Sequence, residues 1–147
     1  MARNTIEPHR IVAINPDTLA EPAGHFDRAV QIGPWLFISG TSALTNLSGT
    51  IEERRMPDSF LEQANSAFDS IEKVLAAAGA TFDDVYEIRA MLSDAADFGT
   101  LNDIFRERLP NRGFIGHGYV TEFLAPGMKV EIEANAYLPQ SSASPSQ

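Results

Sequence analysis

The strictest pattern in the chain is an alternation of apolar and polar residues near its end. From residue 128 to 138 almost every second residue is apolar, as in a strand with one buried and one polar face. The apolar set is Val130, Ile132, Ala134, Ala136 and Leu138, and the polar set is Lys129, Glu131, Glu133, Asn135 and Tyr137. We therefore predict a strand that carries two glutamates on its polar face.

Two other segments have the three- and four-residue spacing of amphipathic helices. The first opens with the capping-box pattern Ser59-x-x-Glu62 and ends at Gly79. Its predicted buried stripe is Leu61, Ala64, Phe68, Ile71 and Leu75. The second begins after Asp97, its predicted cap, and ends before Pro110. Its predicted stripe is Phe98, Leu101, Phe105 and Leu109.

Shorter apolar runs predict the remaining strands. They are residues 10–14, the two halves of 26–40 on either side of Gly33-Pro34, residues 84–94, and the glycine-rich run after Arg112. The resulting order, β-β-β-α-β-α-β-β, predicts an α/β (α+β) fold, a mixed sheet with both helices on one face. We expect a single domain over residues 1–140 and a disordered Ser/Pro-rich tail over residues 141–147.

The face of this sheet away from the helices is too apolar to remain in water. Six large side chains are expected on it: Trp35, Phe37, Tyr86, Ile88, Leu92 and Tyr137. Because an apolar surface of that size usually marks an interface, we expect the chain to form an oligomer that covers this face.

Composition narrows the function classes. The absence of cysteine among the 147 residues excludes disulfides, thiolate zinc sites and cysteine nucleophiles. A net charge of −9 argues against nucleic acid as a partner, because phosphate binding needs clustered Lys and Arg. No apolar run has the length of a membrane span, so we expect no membrane partner and a cytoplasmic protein. The three histidines show no metal-ligand spacing, so no metal site is expected.

Four places carry candidate chemistry. Arg112 is either a solvated arginine at a helix–strand junction or a guanidinium fork that binds a carboxylate. Glu131 is either solvated on its strand or a partly buried acid that moves protons to and from a water. His117, between two glycines, is either a loop residue or a substrate contact. The segment 39–41 (Ser-Gly-Thr) either turns the chain or presents hydroxyls and amides to an anion.

Five segments in this order resemble the RidA family (YjgF-like reactive-intermediate deaminases). They are AGHFDRAVQIGPWLFISG, the helix–strand run from FLEQANSAF to DDVYEIRAML, DFGTLNDIF, PNRG, and KVEIEANAYL. Each motif alone is weak, but together they span nearly the whole chain. The chain is similar to a divergent member of this family.

The resemblance implies a chorismate-mutase-like fold assembled as a homotrimer, with ligand sites in clefts between subunits. It implies a cofactor-independent deaminase that hydrolyses a small enamine or imine carboxylic acid to the oxo acid and ammonia. By position, Arg112 matches the arginine that holds the substrate carboxylate, and Glu131 matches the acid that handles the attacking water. The residues expected to line or shape the cleft are Phe26, Ser39, Gly40, Thr41, Asn102, Phe114 and His117.

Several positions depart from the family pattern. Phe26 stands where a tyrosine is usual, Thr41 where a glutamine is common, and Phe114 where cysteine is frequent. The segment between Arg112 and Glu131 is also a few residues longer than usual, which we expect to bring residues 116–118 beside the site. Two alternatives follow for the altered cleft: a pathway-specific deaminase of a 2-aminomuconate-like substrate, or a non-catalytic trimer that binds a small carboxylate.

Overall fold

A computed structural model describes residues 10–46 and 49–139 of the chain. Its strands are β1 (Ile11–Ile14), β2 (Ala29–Ile32), β3 (Trp35–Ile38), β4 (Val85–Leu92), β5 (Ile115–Val120) and β6 (Val130–Tyr137), and its α-helices are α1 (Phe60–Ala77) and α2 (Phe98–Arg108). The predicted order of strands and helices is confirmed. The predicted tail and both ends of the predicted domain lie outside the described residues.

The six strands form one mixed sheet in the order β1-β2-β3-β6-β4-β5. All neighbouring strands are antiparallel except β4 and β5, which run parallel and are connected through α2. The turn between β2 and β3 is two residues long, with Ile32 paired to Trp35. Gly33 adopts a φ of 58° there, which a glycine tolerates without a steric cost.

Both helices pack on the same face of the sheet, as predicted. Phe68 of α1 and Leu101 of α2 are fully buried in one core with Leu36 and Ile132 of the sheet. The alternation in β6 is also confirmed, because its odd-numbered side chains lie on the opposite face from this core.

Two residues of the predicted helical stripes are not buried. Leu61 is 49% exposed, because the buried arc of α1 is centred on Phe60, Ala67 and Ile71, and Leu61 lies at its edge. Phe98, the first residue of α2, is 48% exposed, since this helix buries Leu101 and Ile104 instead. The prediction of both residues as core positions was wrong.

The predicted caps form only in part. Ser59 Oγ accepts a hydrogen bond from the Glu62 backbone amide at 3.2 Å, but the reciprocal bond of a capping box is not formed. Asp97 is the N-cap residue of α2, as predicted, but its side chain makes no cap hydrogen bond. A short 3₁₀ turn, Ala95–Asp97, precedes α2, and Asp94 caps that turn by accepting from the Ala96 amide at 2.9 Å.

The face of the sheet opposite the helices, called the open face below, is partly apolar. Trp35, Phe37 and Tyr137 lie exposed on it, and Trp35 contacts the rings of Tyr137 and Tyr86 at centroid distances of 4.9 and 5.6 Å.

Ile88 and Leu92 were wrongly placed on the open face. A β-bulge between Val85 and Glu87 shifts the pleat of β4, so that both residues are buried under the helices. Within the described residues, no helix combines the length and apolar character needed to cross a membrane.

Candidate functional site

A cleft of about 290 Å³ lies where β3 and β6 meet the loops that follow β3 and precede β6. We call it the Glu131 cleft. The residues that line it are Ala23, Gly24, Phe26, Arg28, Gly40, Ser42, Leu44, Thr45, Ile51, Arg54, Leu124, Ala125, Met128 and Glu131. Three of the predicted site residues, Phe26, Gly40 and Glu131, thus come together in one cavity.

Glu131 projects from the polar side of β6 and packs against the end of β3. A Cβ atom added to Gly40 would lie 2.8 Å from Glu131 Oε2, so only glycine allows the carboxylate this close approach. Partial burial raises the pKa of Glu131 above its ordinary value, and the nearby charge of Glu133 raises it further. A carboxyl group of this kind exchanges protons closer to neutral pH than an exposed glutamate does.

Ser39 and Thr41 shape the chain on either side of Gly40. Ser39 Oγ donates to the carbonyl of Asp27 at 2.6 Å, and the buried Thr41 hydroxyl donates to the Ser39 carbonyl at 2.8 Å. The backbone of Thr41 also exchanges two hydrogen bonds of 2.8 Å with Ile132 of β6. The two hydroxyls therefore fix the position of Gly40 within the sheet.

The mouth of the cleft is apolar and open. Phe26 is 53% exposed and Leu124 is 98% exposed, although both belong to the lining. Leu124 lies in the segment between β5 and β6, residues 121–129. Residues 116–118, which were expected beside the site, pair regularly with β4 inside β5 and do not line this cleft.

Arg112 lies in the turn between α2 and β5. Its backbone amide donates to the Leu109 carbonyl at 3.2 Å, and its φ of 60° is in the left-handed region, followed by Gly113 at 85°. This conformation costs a residue other than glycine about 1 kcal/mol or more. The side chain is exposed, and among the described residues its guanidinium has no hydrogen-bond or ion-pair partner.

The other predicted site residues lie near Arg112 in the chain, away from the Glu131 cleft. Phe114 packs edge-on against Phe105 at 5.8 Å, beside the core. His117 lies on the open face with Nε2 at 3.7 Å from Glu87 Oε2. Asn102 is half-buried on α2.

One chain does not bring Arg112 and Glu131 together. Glu131 pairs with Met91 near the end of β4, whereas β5 begins at Ile115 opposite Glu87, near the start of β4. Met91 and Glu87 are four residues apart on β4, which is about 13 Å along the strand. Arg112 comes three residues before Ile115, on the side away from Glu131. The two residues therefore lie at opposite ends of the sheet.

Among the lining residues that sequence reasoning missed are the two buried arginines of the cleft. Arg28 and Arg54 are each only 6% exposed, and both line it. A detectable signal existed at Arg28, which lies directly before the apolar strand β2. Arg54 gave no such signal, because it is followed by Arg55 in a polar segment. Among the described residues, no three His, Asp or Glu side chains are grouped as a metal ion would require.

Comparison with known proteins identifies the family. The family model described as Endoribonuclease L-PSP matches residues 17–138. The 2-iminobutanoate/2-iminopropanoate deaminase of Mus musculus is 35% identical over 117 residues, which are 77% of this chain and 81% of the relative. The protein of the same name from Bos taurus is 31% identical over 113 residues, which are 77% of this chain and 80% of that relative.

A solved structure agrees with these matches. RidA from the Antarctic bacterium Psychrobacter superposes with a TM-score of 0.77 at 28% identity, covering 86% of this chain and 99% of the other. The chain therefore belongs to the Endoribonuclease L-PSP family, the RidA/YjgF family that its sequence resembles.

Proposed function

We propose that the chain is one subunit of a homotrimeric deaminase that hydrolyses small 2-imino or 2-enamino acids to the oxo acid and ammonia. One observation carries the proposal: Arg112, whose guanidinium has no partner among the described residues, and Glu131, whose pKa is raised, lie at opposite ends of one subunit. Each of them completes a site only when a second copy supplies the other. The deaminase names of the relatives support the reaction class.

In the proposed site, Arg112 of one copy holds the substrate carboxylate through its two-pronged guanidinium. The neighbouring C=N carbon then faces the Glu131 cleft of the next copy. Restricting both the imine and a water to this geometry supplies much of the rate, because the bimolecular encounter is already completed by binding.

The proton steps are assigned to Glu131. Its carboxylate accepts a proton from the water as the water oxygen bonds to the carbon of the protonated imine, which forms a neutral carbinolamine. The resulting carboxyl group then donates that proton to the amine. As the C–N bond breaks, the regenerated carboxylate accepts the hydroxyl proton, so that ammonia and the 2-oxo acid are released and this last proton passes to ammonia as ammonium. An enamine enters the same route after a proton is added to its β-carbon. The raised pKa of Glu131 suits a group that both accepts and returns a proton.

Ammonia release from 2-iminobutanoate, generated in solution by an amino acid oxidase, tests the proposal. Wild-type protein is expected to accelerate hydrolysis over buffer, and Arg112→Ala to lower kcat/KM about a hundredfold, because a charged anchor contributes several kcal/mol. Arg106→Ala is the matched control. It removes an exposed arginine whose ion pair with Asp103 contributes little, and the rate should stay within about twofold.

If wild-type protein at micromolar concentration does not accelerate this hydrolysis, the proposed deaminase of small 2-imino acids is contradicted. The same assay with 2-aminomuconate tests the pathway-specific alternative, and carboxylate binding without turnover of either substrate favours the non-catalytic trimer. A monomeric mass in light scattering contradicts the shared site itself. The cytoplasmic location stays a prediction.

A further inference from the structure

The end of the Glu131 cleft that lies away from Glu131 contains two buried guanidinium groups. Arg28 and Arg54 both hydrogen-bond to backbone carbonyls, and both reach the carbonyl of Glu21, at 3.0 and 2.8 Å. Thr45 also accepts from Arg28, and Leu44 from Arg54, so the pair joins the segment before β2 to the loop after β3. Two positive charges therefore lie side by side in the wall of the cavity.

These charges are not neutralised by an ion pair. In residues 10–46 and 49–139, no carboxylate lies within 4.0 Å of either guanidinium. Burial and the charge of Arg54 lower the pKa of Arg28 to about 10, with the Glu21 charge acting weakly against them, so that Arg28 stays charged at neutral pH. Because buried cations are costly without a counter-ion, this end of the cleft favours an anion, although the chain carries a net charge of −9.

Two nitrogens of Arg28 lack an acceptor among the described residues, whereas each nitrogen of Arg54 has one. Each nitrogen of Arg54 donates to a carbonyl: Nε to Gly49, Nη1 to Leu44 and Nη2 to Glu21. In Arg28, Nη2 serves three carbonyls, while Nε and Nη1 bond to no described group and Nε is sealed from solvent. A buried donor without an acceptor is uncommon and points to a missing partner. Arg54 therefore supports the site. In Arg28, Nε is sealed from the cleft, and Nη1 is the nitrogen left to donate to a ligand.

The two arginines lie apart from the reacting end of the cleft. Arg28 directly precedes β2 and Glu131 lies on β6, so two strand spacings, about 10 Å, separate their backbones. A ligand that reaches both groups must therefore span several atoms between its reacting carbon and its second polar group. The lining of the cleft also includes the apolar side chains of Ala125 and Met128, which suit a short hydrocarbon chain.

We propose that Arg28, supported by Arg54, binds a second carboxylate at the far end of the substrate. This inference rests on the proposed function and sharpens it: the preferred substrates are imines or enamines of dicarboxylic amino acids. Arg112 of one copy holds the carboxylate beside the reacting carbon, and Arg28 of the next copy holds the distal one. The hydrolysis itself is unchanged.

Calorimetric titration of the wild-type protein with stable acids tests the subsite without any turnover. Glutarate and adipate are compared with pentanoate and hexanoate, which have the same carbon numbers and one carboxylate fewer. At least one dicarboxylate is expected to bind about tenfold more tightly than its monocarboxylate partner, an amount typical of a charged hydrogen bond. If neither dicarboxylate binds more tightly than the monocarboxylate of the same length, the proposal is overturned, and the Arg28 donors would then bind water.

Variants test whether Arg28 is responsible for the preference for dicarboxylates over monocarboxylates. Arg28→Gln is expected to bring the dicarboxylate-to-monocarboxylate affinity ratio to about one, while Arg28→Lys, which keeps the charge without the fork, retains part of it. Arg55→Gln is the control, because Arg55 is exposed and bonds only to the Glu52 carbonyl. An unchanged ratio in folded Arg28→Gln overturns the assignment to Arg28. If Arg28→Gln does not fold, the wild-type titrations still decide.

The outcomes also separate this inference from the proposed function. If dicarboxylates bind tightly but no imine is hydrolysed, the Arg28 subsite is supported and the deaminase function is contradicted. Hydrolysis of 2-iminobutanoate by a protein that shows no dicarboxylate preference retains the deaminase and removes the subsite.

Discussion

The Glu131 cleft is partly buried and already shaped, whereas the Arg112 turn lies in solvent. In the cleft, the carboxyl group rests against Gly40, and the surrounding loops are held by two buried arginines. At the turn, a single backbone hydrogen bond to Leu109 holds Arg112 in a left-handed conformation. The first region is stabilised by many contacts, and the second keeps a charge that pairs with no described residue.

The difference fits the division of work in the proposed shared site. The cleft partly buries a carboxyl group and shifts its pKa, which requires packing within one subunit. In the proposal the arginine reaches into a neighbouring copy, and a side chain can do so only from an exposed turn. Positive backbone φ values at residues other than glycine often occur at functional sites, where the cost is tolerated.

The largest expected effect comes from mixing subunits in which one region or the other has been inactivated by a substitution. Arg112→Ala and Glu131→Gln are each expected to lose about a hundredfold in activity. In trimers assembled from equal amounts of both variants, about one quarter of the interfaces join an intact Arg112 to an intact Glu131, so about a quarter of wild-type activity should return. The measurement is deaminase activity after the two variants are unfolded together and refolded.

Refolding each variant alone is the control, and neither should gain activity. Mixed trimers that remain as inactive as the single variants would mean that one chain must supply both residues. That outcome would contradict the proposal that Arg112 of one copy and Glu131 of another form one site.

A smaller effect concerns pH and tests the cleft alone. Because burial raises the pKa of Glu131, the carboxylate that accepts the water proton is lost as pH falls through a value above the ordinary 4.5. The kcat/KM of the wild type should therefore decline about tenfold for each pH unit below that pKa, and the decline should be absent from the residual activity of Glu131→Gln.

The same shift has a consequence for stability that does not depend on turnover. A carboxyl group whose pKa is raised by folding stabilises the fold below its unfolded pKa, and this contribution is lost as pH rises through the folded value. Glu131→Gln should therefore raise Tm relative to the wild type at neutral pH more than in acid. An equal difference at both would show that Glu131 is not shifted in solution.

Much of the fold could be predicted because the patterns are local. The alternation in β6 and the spacing around Phe68 depend on a single pleat or helix period. The errors occurred where tertiary context decides: the β-bulge between Val85 and Glu87 reversed the faces of Ile88 and Leu92. An alternation read along one strand carries no sign of an inserted residue.

The site was less accessible to sequence reasoning. Phe26, Gly40 and Glu131 meet in the cleft, and the family resemblance was needed to select them. Arg28 was missed although it directly precedes the apolar strand β2, because its role depends on carbonyls from two loops and on the lack of an ion pair with any described carboxylate. The sequence shows that Arg28 is charged, but its burial, which indicates a binding role, is known only from the fold.

The smallest expected effect concerns the strain at the Arg112 turn. Arg112→Gly and Arg112→Ala both remove the guanidinium and should be equally inactive. At a φ of 60°, glycine avoids the steric clash that alanine retains, so Arg112→Gly should be the more stable variant by about 1 kcal/mol. For a chain of this size, that is a difference of about 3 °C in Tm, measured by thermal unfolding.

Asn111 supplies the matched control for this comparison. It precedes Arg112 in the same turn, its φ is not positive, and its one side-chain bond, to Asp83, is lost in either substitution. There the order should reverse, with Asn111→Gly less stable than Asn111→Ala by about 0.5–1 kcal/mol, because glycine gains freedom in the unfolded chain. If glycine is also the less stable residue at position 112, the turn holds no strain. The arginine would then be placed by neighbouring contacts in the trimer, and the contrast with the preformed cleft would be larger still.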